Sequence, residues 1–181
     1  GLVVSRGGQR TEVHAAKGVI LASGGFGHDE ARTSALYPHK RAGRRHVSLA
    51  SPGNTGDGAA LAESLGGFVE TEVQQYSAWM PVSLIPGVTG PFGIWPHIVD
   101  RQRAGFMCVT RKGTRFTNES QPYHDFVPRL VEACTDLDET CCYLICDHAT
   151  IRRNGMGYVK PAPVPMGAQL RSGYLLRGET L

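Results

Sequence analysis

The chain has 181 residues and a formal net charge of +3, enough for one large domain or two small ones. No apolar run approaches the roughly 20 residues of a membrane span, so no membrane span is expected. The slight excess of Lys and Arg is dispersed apart from Lys40–Arg45, and no nucleic-acid partner is expected. That run suits either a phosphate contact or a solvated loop. Cys108, Cys134, Cys141, Cys142 and Cys146 lack paired C-x-x-C spacing. They read as small hydrophobes in a reduced, cytoplasmic setting, with no metal site.

Leu2–Val4 and Thr11–Ala15 flank Arg6-Gly7-Gly8 and predict a β-hairpin. Lys17–Ala22 reads as a strand apolar on both faces, the pattern of a central parallel strand. Gly24–Gly27 breaks it. A short helix follows from His28-Asp29-Glu30, with Asp29 as N-cap, and stops before Pro38. Residues 39–53 read as a loop. Asn54 or Thr55 is placed to cap a helix through Leu61 and Leu65 that stops at Gly66-Gly67. Phe68–Val73 alternates like an edge strand.

After Tyr76 the composition changes. Pro81, Pro86, Pro91 and Pro96 recur among Gly, Trp and Phe. That density precludes regular helix and central strand, so the segment reads as a long, shaped loop. Phe106–Thr110 and Thr114–Asn118 around Arg111-Lys112-Gly113 predict a hairpin. Asp125–Cys134 has helical periodicity, with Val127, Leu130, Val131 and Cys134 on one face. Cys141–Cys146 reads as a buried strand, Asp147 starts a short helix, and 161–165 is expected to be extended.

Two stretches carry chemistry. Val19-Ile20-Leu21-Ala22-Ser23-Gly24-Gly25-Phe26-Gly27 places an apolar run before two glycines, and Asn54-Thr55-Gly56-Asp57-Gly58 places glycines around an acid at a helix start. Glycine removes the Cβ that blocks close approach, and a helix start offers free N–H groups. Both suit a nucleotide or flavin pocket, although the chain contains no opening G-x-G-x-x-G phosphate motif. The alternatives are a plain strand-to-helix turn at Gly24-Gly25 and a helix-start acid at Asp57.

With Gly113-Thr114-Arg115-Phe116-Thr117-Asn118-Glu119-Ser120 following in order, the chain resembles the middle of the fumarate reductase/succinate dehydrogenase flavoprotein superfamily, the FAD-dependent oxidoreductase 2 family. The resemblance implies an α/β fold with α+β character: a partial Rossmann-type FAD-binding domain over 1–73 joined to a partial capping domain over 74–181. It implies that Ala22, Ser23, Gly24, Gly25 and Phe26 lie along the dinucleotide. Asn54, Thr55, Gly56, Asp57 and Gly58 then face the flavin, with Asp57 accepting hydrogen bonds from flavin or ribityl donors.

The family's dicarboxylate enzymes carry His-Pro-Thr-Gly, Thr-Glu and Arg-Asp elements. Here those regions read Tyr76–Pro81, Ile94–Arg101 and Gln121–Phe126, with Tyr123-His124 where the arginine would stand. A dianion needs fixed positive charge and matched donors. A wall of Trp79, Trp95 and prolines supplies neither. The run Arg115–Tyr123 is most similar to the 3-ketosteroid dehydrogenase branch. By that resemblance Tyr123 takes part in proton abstraction beside a ketone while hydride passes to the flavin. A tyrosine of ordinary pKa is a poor base and needs a neighbour such as His124 or Arg129; the alternative is an interface tyrosine satisfied locally. Trp79, Trp95, His97 and His124 are candidate substrate-lining residues. The tryptophans suit a cap core equally, and His97 with Asp100-Arg101 suits a surface ion pair. Asn118 and Glu119, by resemblance, tie the hairpin to the flavin domain, and Arg115 pairs with an acid there.

The leading expectation is a fragment of an FAD-dependent dehydrogenase acting on a small, apolar carbonyl substrate, ketosteroid-like at the extreme. Its partner is the rest of the parent polypeptide, and the fragment alone retains little FAD and is inactive. The alternatives are reduction of an unsaturated carboxylate, as in fumarate reductase, and a non-catalytic binding module built on a flavoprotein scaffold.

Overall fold

The computed structural model describes residues 1–180 and divides into two compact units. The first comprises Gly1–Thr33 and Ala50–Thr71; the second comprises Ser34–Leu49 and Glu72 onwards. Residues 34–49 thus group with the later part of the chain.

In the first unit, β1 (Leu2–Arg6) and β2 (Gln9–Val13) form the expected antiparallel hairpin, with Leu2 opposite Val13 and Arg6 opposite Gln9. Its turn uses Gly7 and Gly8 at φ +58° and +81°, the left-handed pair that a two-residue hairpin turn demands. The strand expected over Lys17–Ala22 does not form; Ile20 is 93% exposed. An inner parallel strand exists only by hydrogen bonding to neighbours on both edges, and no described strand pairs with it. The edge strand expected over Phe68–Val73 is absent for the same reason.

Helix α1 (Glu30–Leu36) starts as expected behind Asp29, whose carboxylate accepts the Arg32 N–H at 3.0 Å. Helix α3 (Asp57–Ser64) differs at its start. Neither Asn54 nor Thr55 caps it. Gly56, at φ +85°, occupies the N-cap and offers no side chain. The helix ends as expected, with Leu65 as C-cap and Gly66 left-handed at φ +85°.

The second unit opens with α2 (Pro38–Arg41) where a loop was expected. In place of one long loop, the proline-rich segment holds a ribbon: β3 (Val82–Leu84) pairs antiparallel with β4 (Ile94–Pro96), Ser83 opposite Trp95. Pro96 sits at the end of β4, where a missing N–H is tolerated. The hairpin around Arg111–Gly113 survives as a turn with a single bridge, Val109 to Arg115. β5 (Met107–Val109) pairs instead with β6 (Tyr143–Ile145), the half-buried remnant of the Cys141–Cys146 strand. Helix α4 (Tyr123–Ala133) buries Phe126 and Leu130 with Cys108 and Cys134, and Phe116, Val127 and Leu144 pack around them. Helix α5 (His148–Asn154) is capped by Asp147, which accepts the Thr150 N–H at 2.7 Å. Residues 161–165 form a turn rather than an extended segment, with the Val164 N–H reaching Pro161 O. Helix α6 (Gly167–Arg171) follows. A second core joins Ile151, Val159 and Leu175.

Within the basic run, Arg44 is partly buried. Its guanidinium donates to the Cys134 and Thr135 carbonyls at the end of α4 and to Thr140 Oγ1 at 3.1 Å. That is a cation satisfying the last carbonyls of a helix.

Candidate functional site

In the first unit the two glycine stretches lie against each other. The His28 N–H donates to Asn54 O at 2.9 Å and the Gly56 N–H to Gly25 O at 3.1 Å. Three glycines make the approach possible. A Cβ on Gly24 would stand inside contact distance of Asn54 Oδ1, and Gly24 sits at φ +98°. A Cβ on Gly56 would meet Asp29 Oδ2 at 3.0 Å, and one on Gly58 would meet Ser23 Oγ at 2.6 Å. One open hollow of about 390 Å³ is lined by Leu2, Val19–Ser23, Asp57, Gly58 and Leu61. Ala22, Ser23, Asp57 and Gly58 thus share a hollow. Gly24, Gly25, Phe26, Asn54, Thr55 and Gly56 lie beside it as its support. Asp57 is held by Thr55, whose Oγ1–H donates at 2.7 Å. Phe26 lies under the Arg32 guanidinium at 5.7 Å, and Arg32 makes a two-bond fork to Glu63 at 2.9 Å each.

The other predicted residues belong to the second unit. Tyr123 is the first residue of α4, half-buried, its ring 5.7 Å from the exposed His124. Among the described residues its hydroxyl has no hydrogen-bond partner. Trp79 is buried in a ring of Tyr37, His39 and His46, with centroids 4.7, 5.2 and 6.5 Å away. Burial pushes the His39 imidazole below its usual range, helped by the Lys40 charge. Trp79 is thus packed in an aromatic core, and Trp95 is half-exposed and meets Tyr158 edge-on at 6.2 Å.

Arg115 pairs with an acid, as expected. Arg115 forks onto Glu119 itself, at 3.1 and 2.6 Å, and Glu119 Oε1 accepts the Cys108 N–H at 2.8 Å. These contacts tie the run Gly113–Ser120 to β5 within the second unit. Arg101, 2% exposed, lies over the Phe126 ring at 4.7 Å and donates to Glu119 O. Burial raises the Glu119 pKa, but the Arg115 fork and the Cys108 N–H outweigh it and hold the carboxyl below its ordinary value of 4.5. A depressed folded-state pKa gives stability that is complete above the unfolded value and is lost as pH falls through the folded one. We expect Glu119→Gln to cost about 1–3 kcal/mol in urea unfolding near neutral pH. Below the unfolded carboxyl pKa the difference from the unaltered protein should shrink.

A family model described as FAD binding domain matches residues 1–175. The chain belongs to this FAD-binding family. This flavoprotein chain is 35% identical over 178 residues to 4-oxocyclohex-2-ene-1-carboxylate 5-dehydrogenase of Sinomonas cyclohexanicum, covering 98% of the chain and 30% of that protein. It is 30% identical over 182 residues to 3-oxosteroid 1-dehydrogenase of Mycolicibacterium smegmatis, covering 93% and 29%. A crystal structure of 3-ketosteroid Δ1-dehydrogenase from Sterolibacterium denitrificans, in complex with 1,4-androstadiene-3,17-dione, superposes with a TM-score of 0.69 at 28% identity. It matches over 91% of this chain and 29% of that one. The flavoprotein chain thus spans about 30% of the length of the relatives it matches. FAD is the family's cofactor. Among the described residues no helix is long and apolar enough to cross a membrane.

The flavoprotein's second unit holds a polar cluster that sequence reasoning saw only in part. His97 Nδ1 is 2.7 Å from Asp100 Oδ2, and His97 Nε2 is 2.9 Å from Ser83 Oγ. Ser83 Oγ is 2.6 Å from the Tyr174 hydroxyl, which accepts the Tyr158 N–H at 3.0 Å. The pairing of β3 with β4 was the available signal. Ser83 stands opposite Trp95, and period two puts His97 on the same face. Four prolines concealed that pairing.

Proposed function

We propose that this chain is part of an FAD-dependent dehydrogenase acting on a largely apolar ring ketone or enone. Residues 1–73 would contribute to its FAD-binding domain, which we read as Rossmann-type, and residues 74–181 to a cap. The observation that carries the reading is the single hollow lined by Ala22–Ser23 and by Asp57–Gly58, in a chain whose relatives carry the names of ring-ketone dehydrogenases. The residues present suit FAD. Gly24 and Gly58 stand where a Cβ would obstruct the join, the hollow is walled by Val19–Leu21, and Asp57 is an acceptor at its edge. Ala22–Phe26 would lie along the dinucleotide and Asn54–Gly58 towards the flavin, with Asp57 accepting a flavin or ribityl N–H or O–H.

Bound FAD supplies the hydride acceptor. The chain's own part is to place the ring and to move the proton lost from the carbon next to the carbonyl. Tyr123 is the group in this chain to carry that proton. Its hydroxyl has no partner among the described residues, so it is available to a substrate. The test is anaerobic flavin bleaching in the full-length protein. A ring ketone such as 4-oxocyclohexanecarboxylate should bleach the flavin. If ring ketones and enones leave the flavin oxidised while fumarate reoxidises a pre-reduced sample, the substrate is an unsaturated carboxylate instead.

A further inference from the structure

The hydroxyl–imidazole–carboxylate cluster of the second unit stands beside two half-exposed aromatic rings, and its hydrogen bonds run in one direction. A carboxylate only accepts, so His97 donates from Nδ1 to Asp100. The Gly157 N–H at 2.8 Å and the Arg101 N–H at 3.0 Å also fix Asp100. In the neutral imidazole Nε2 then accepts from Ser83, Ser83 accepts from Tyr174, and Tyr174 accepts the Tyr158 N–H. Every group has a partner, and the last bond holds the backbone of Tyr158. Gly157 lets the parts meet. It sits at φ +55°, and a Cβ there would overlap the Tyr174 hydroxyl and come within 3.0 Å of His97 Cε1. Burial works against the Asp100 charge, yet the bonds from His97, Gly157 and Arg101 hold its carboxyl below the ordinary range, so it persists as the acceptor that anchors the chain of bonds.

The bonds end on an aromatic row. Tyr158, 42% exposed, meets Trp95, 38% exposed, at 6.2 Å, and meets Tyr174 at 6.1 Å. Trp95 shares its face of the ribbon with Ser83 and His97, so one hairpin face carries both an aromatic surface and the polar groups that set it.

We propose that Trp95 and Tyr158 form a ledge that takes the carbocyclic ring of the substrate, and that Asp100, His97, Ser83 and Tyr174 are positioning residues that hold this ledge in place. The proposal rests on the ring-ketone reading above and names the residues that would select a ring over an open chain. Tyr158 and Trp95 would touch substrate; the other four act through them.

The experiment uses the full-length FAD-loaded protein. Tryptophan emission is titrated with 4-oxocyclohexanecarboxylate and with the acyclic keto acid 4-oxopentanoate. The ring compound should quench, the open chain should not, and Trp95→Phe should abolish the quench. In steady-state flavin reduction, Tyr158→Ala should raise KM about tenfold, the upper range for one aromatic contact, with kcat changed less than about twofold. Asp100→Asn and Tyr174→Phe should raise KM about threefold with kcat held, a split that a general loss of folded protein would not produce. Equal quenching by both keto acids, or no quenching by either, overturns the ledge, as does an unmoved KM in folded Tyr158→Ala. Ring-specific quenching without any flavin bleaching leaves the ledge standing and removes the dehydrogenase reading.

Discussion

Gly24→Ala is expected to weaken FAD retention by about fivefold to a hundredfold. Two effects combine at this position. The backbone is at φ +98°, where an L side chain is strained, and the new methyl would overlap Asn54 Oδ1. A residue forced into sparsely populated backbone space costs about 1–3 kcal/mol, and that range converts to the stated loss of affinity. The strain falls on the join between Gly25 and Gly56 that brings Ser23 and Asp57 to one hollow. Gly24→Ala with Asn54→Gly removes the overlap but keeps the strained φ, so it should recover part of the loss. Flavin content after desalting reads the effect. Retention equal to that of the unaltered protein would mean that the glycine join has no part in holding the cofactor.

Tyr123→Phe is expected to lower turnover by about a hundredfold to ten-thousandfold, the usual range for removing a positioned proton carrier, and to leave stability within about 0.5 kcal/mol. The contrast follows from the environment of the phenol. Its hydroxyl makes no hydrogen bond among the described residues, so a purely structural tyrosine would lose nothing when the oxygen is deleted. Rapid-reaction flavin reduction and urea unfolding on the same variant separate the two roles. Unchanged reduction would assign proton transfer to another group.

Legibility from sequence followed the range of the interactions. Elements fixed by their own residues were readable: the Gly7-Gly8 hairpin, the Asp29 and Asp147 helix starts, the Gly66 helix stop and the α4 periodicity. Elements that need a distant partner were not. Val19–Ala22 has the composition of an inner strand, but a strand is a relation between segments, and none of the described segments pairs with it. β5 turned to β6, thirty-odd residues away, rather than to the neighbouring run that local turn chemistry favoured. Glycine spacing announced the two stretches of the first unit that meet, because close approach of backbone to backbone leaves a mark in residue type. The cluster around His97 left a fainter mark. Gly157, Tyr158 and Tyr174 reach it from a part of the chain where no local pattern points back to Ser83.

The proposed function requires that the two glycine stretches of the first unit meet one coenzyme. Amide hydrogen exchange in the full-length protein, with and without FAD, tests this directly. Residues 22–26 and 54–58 should both slow when FAD is added, with Asp57 and Gly58 among the affected amides. Protection confined to one stretch, or found elsewhere while both remain unchanged, would contradict it.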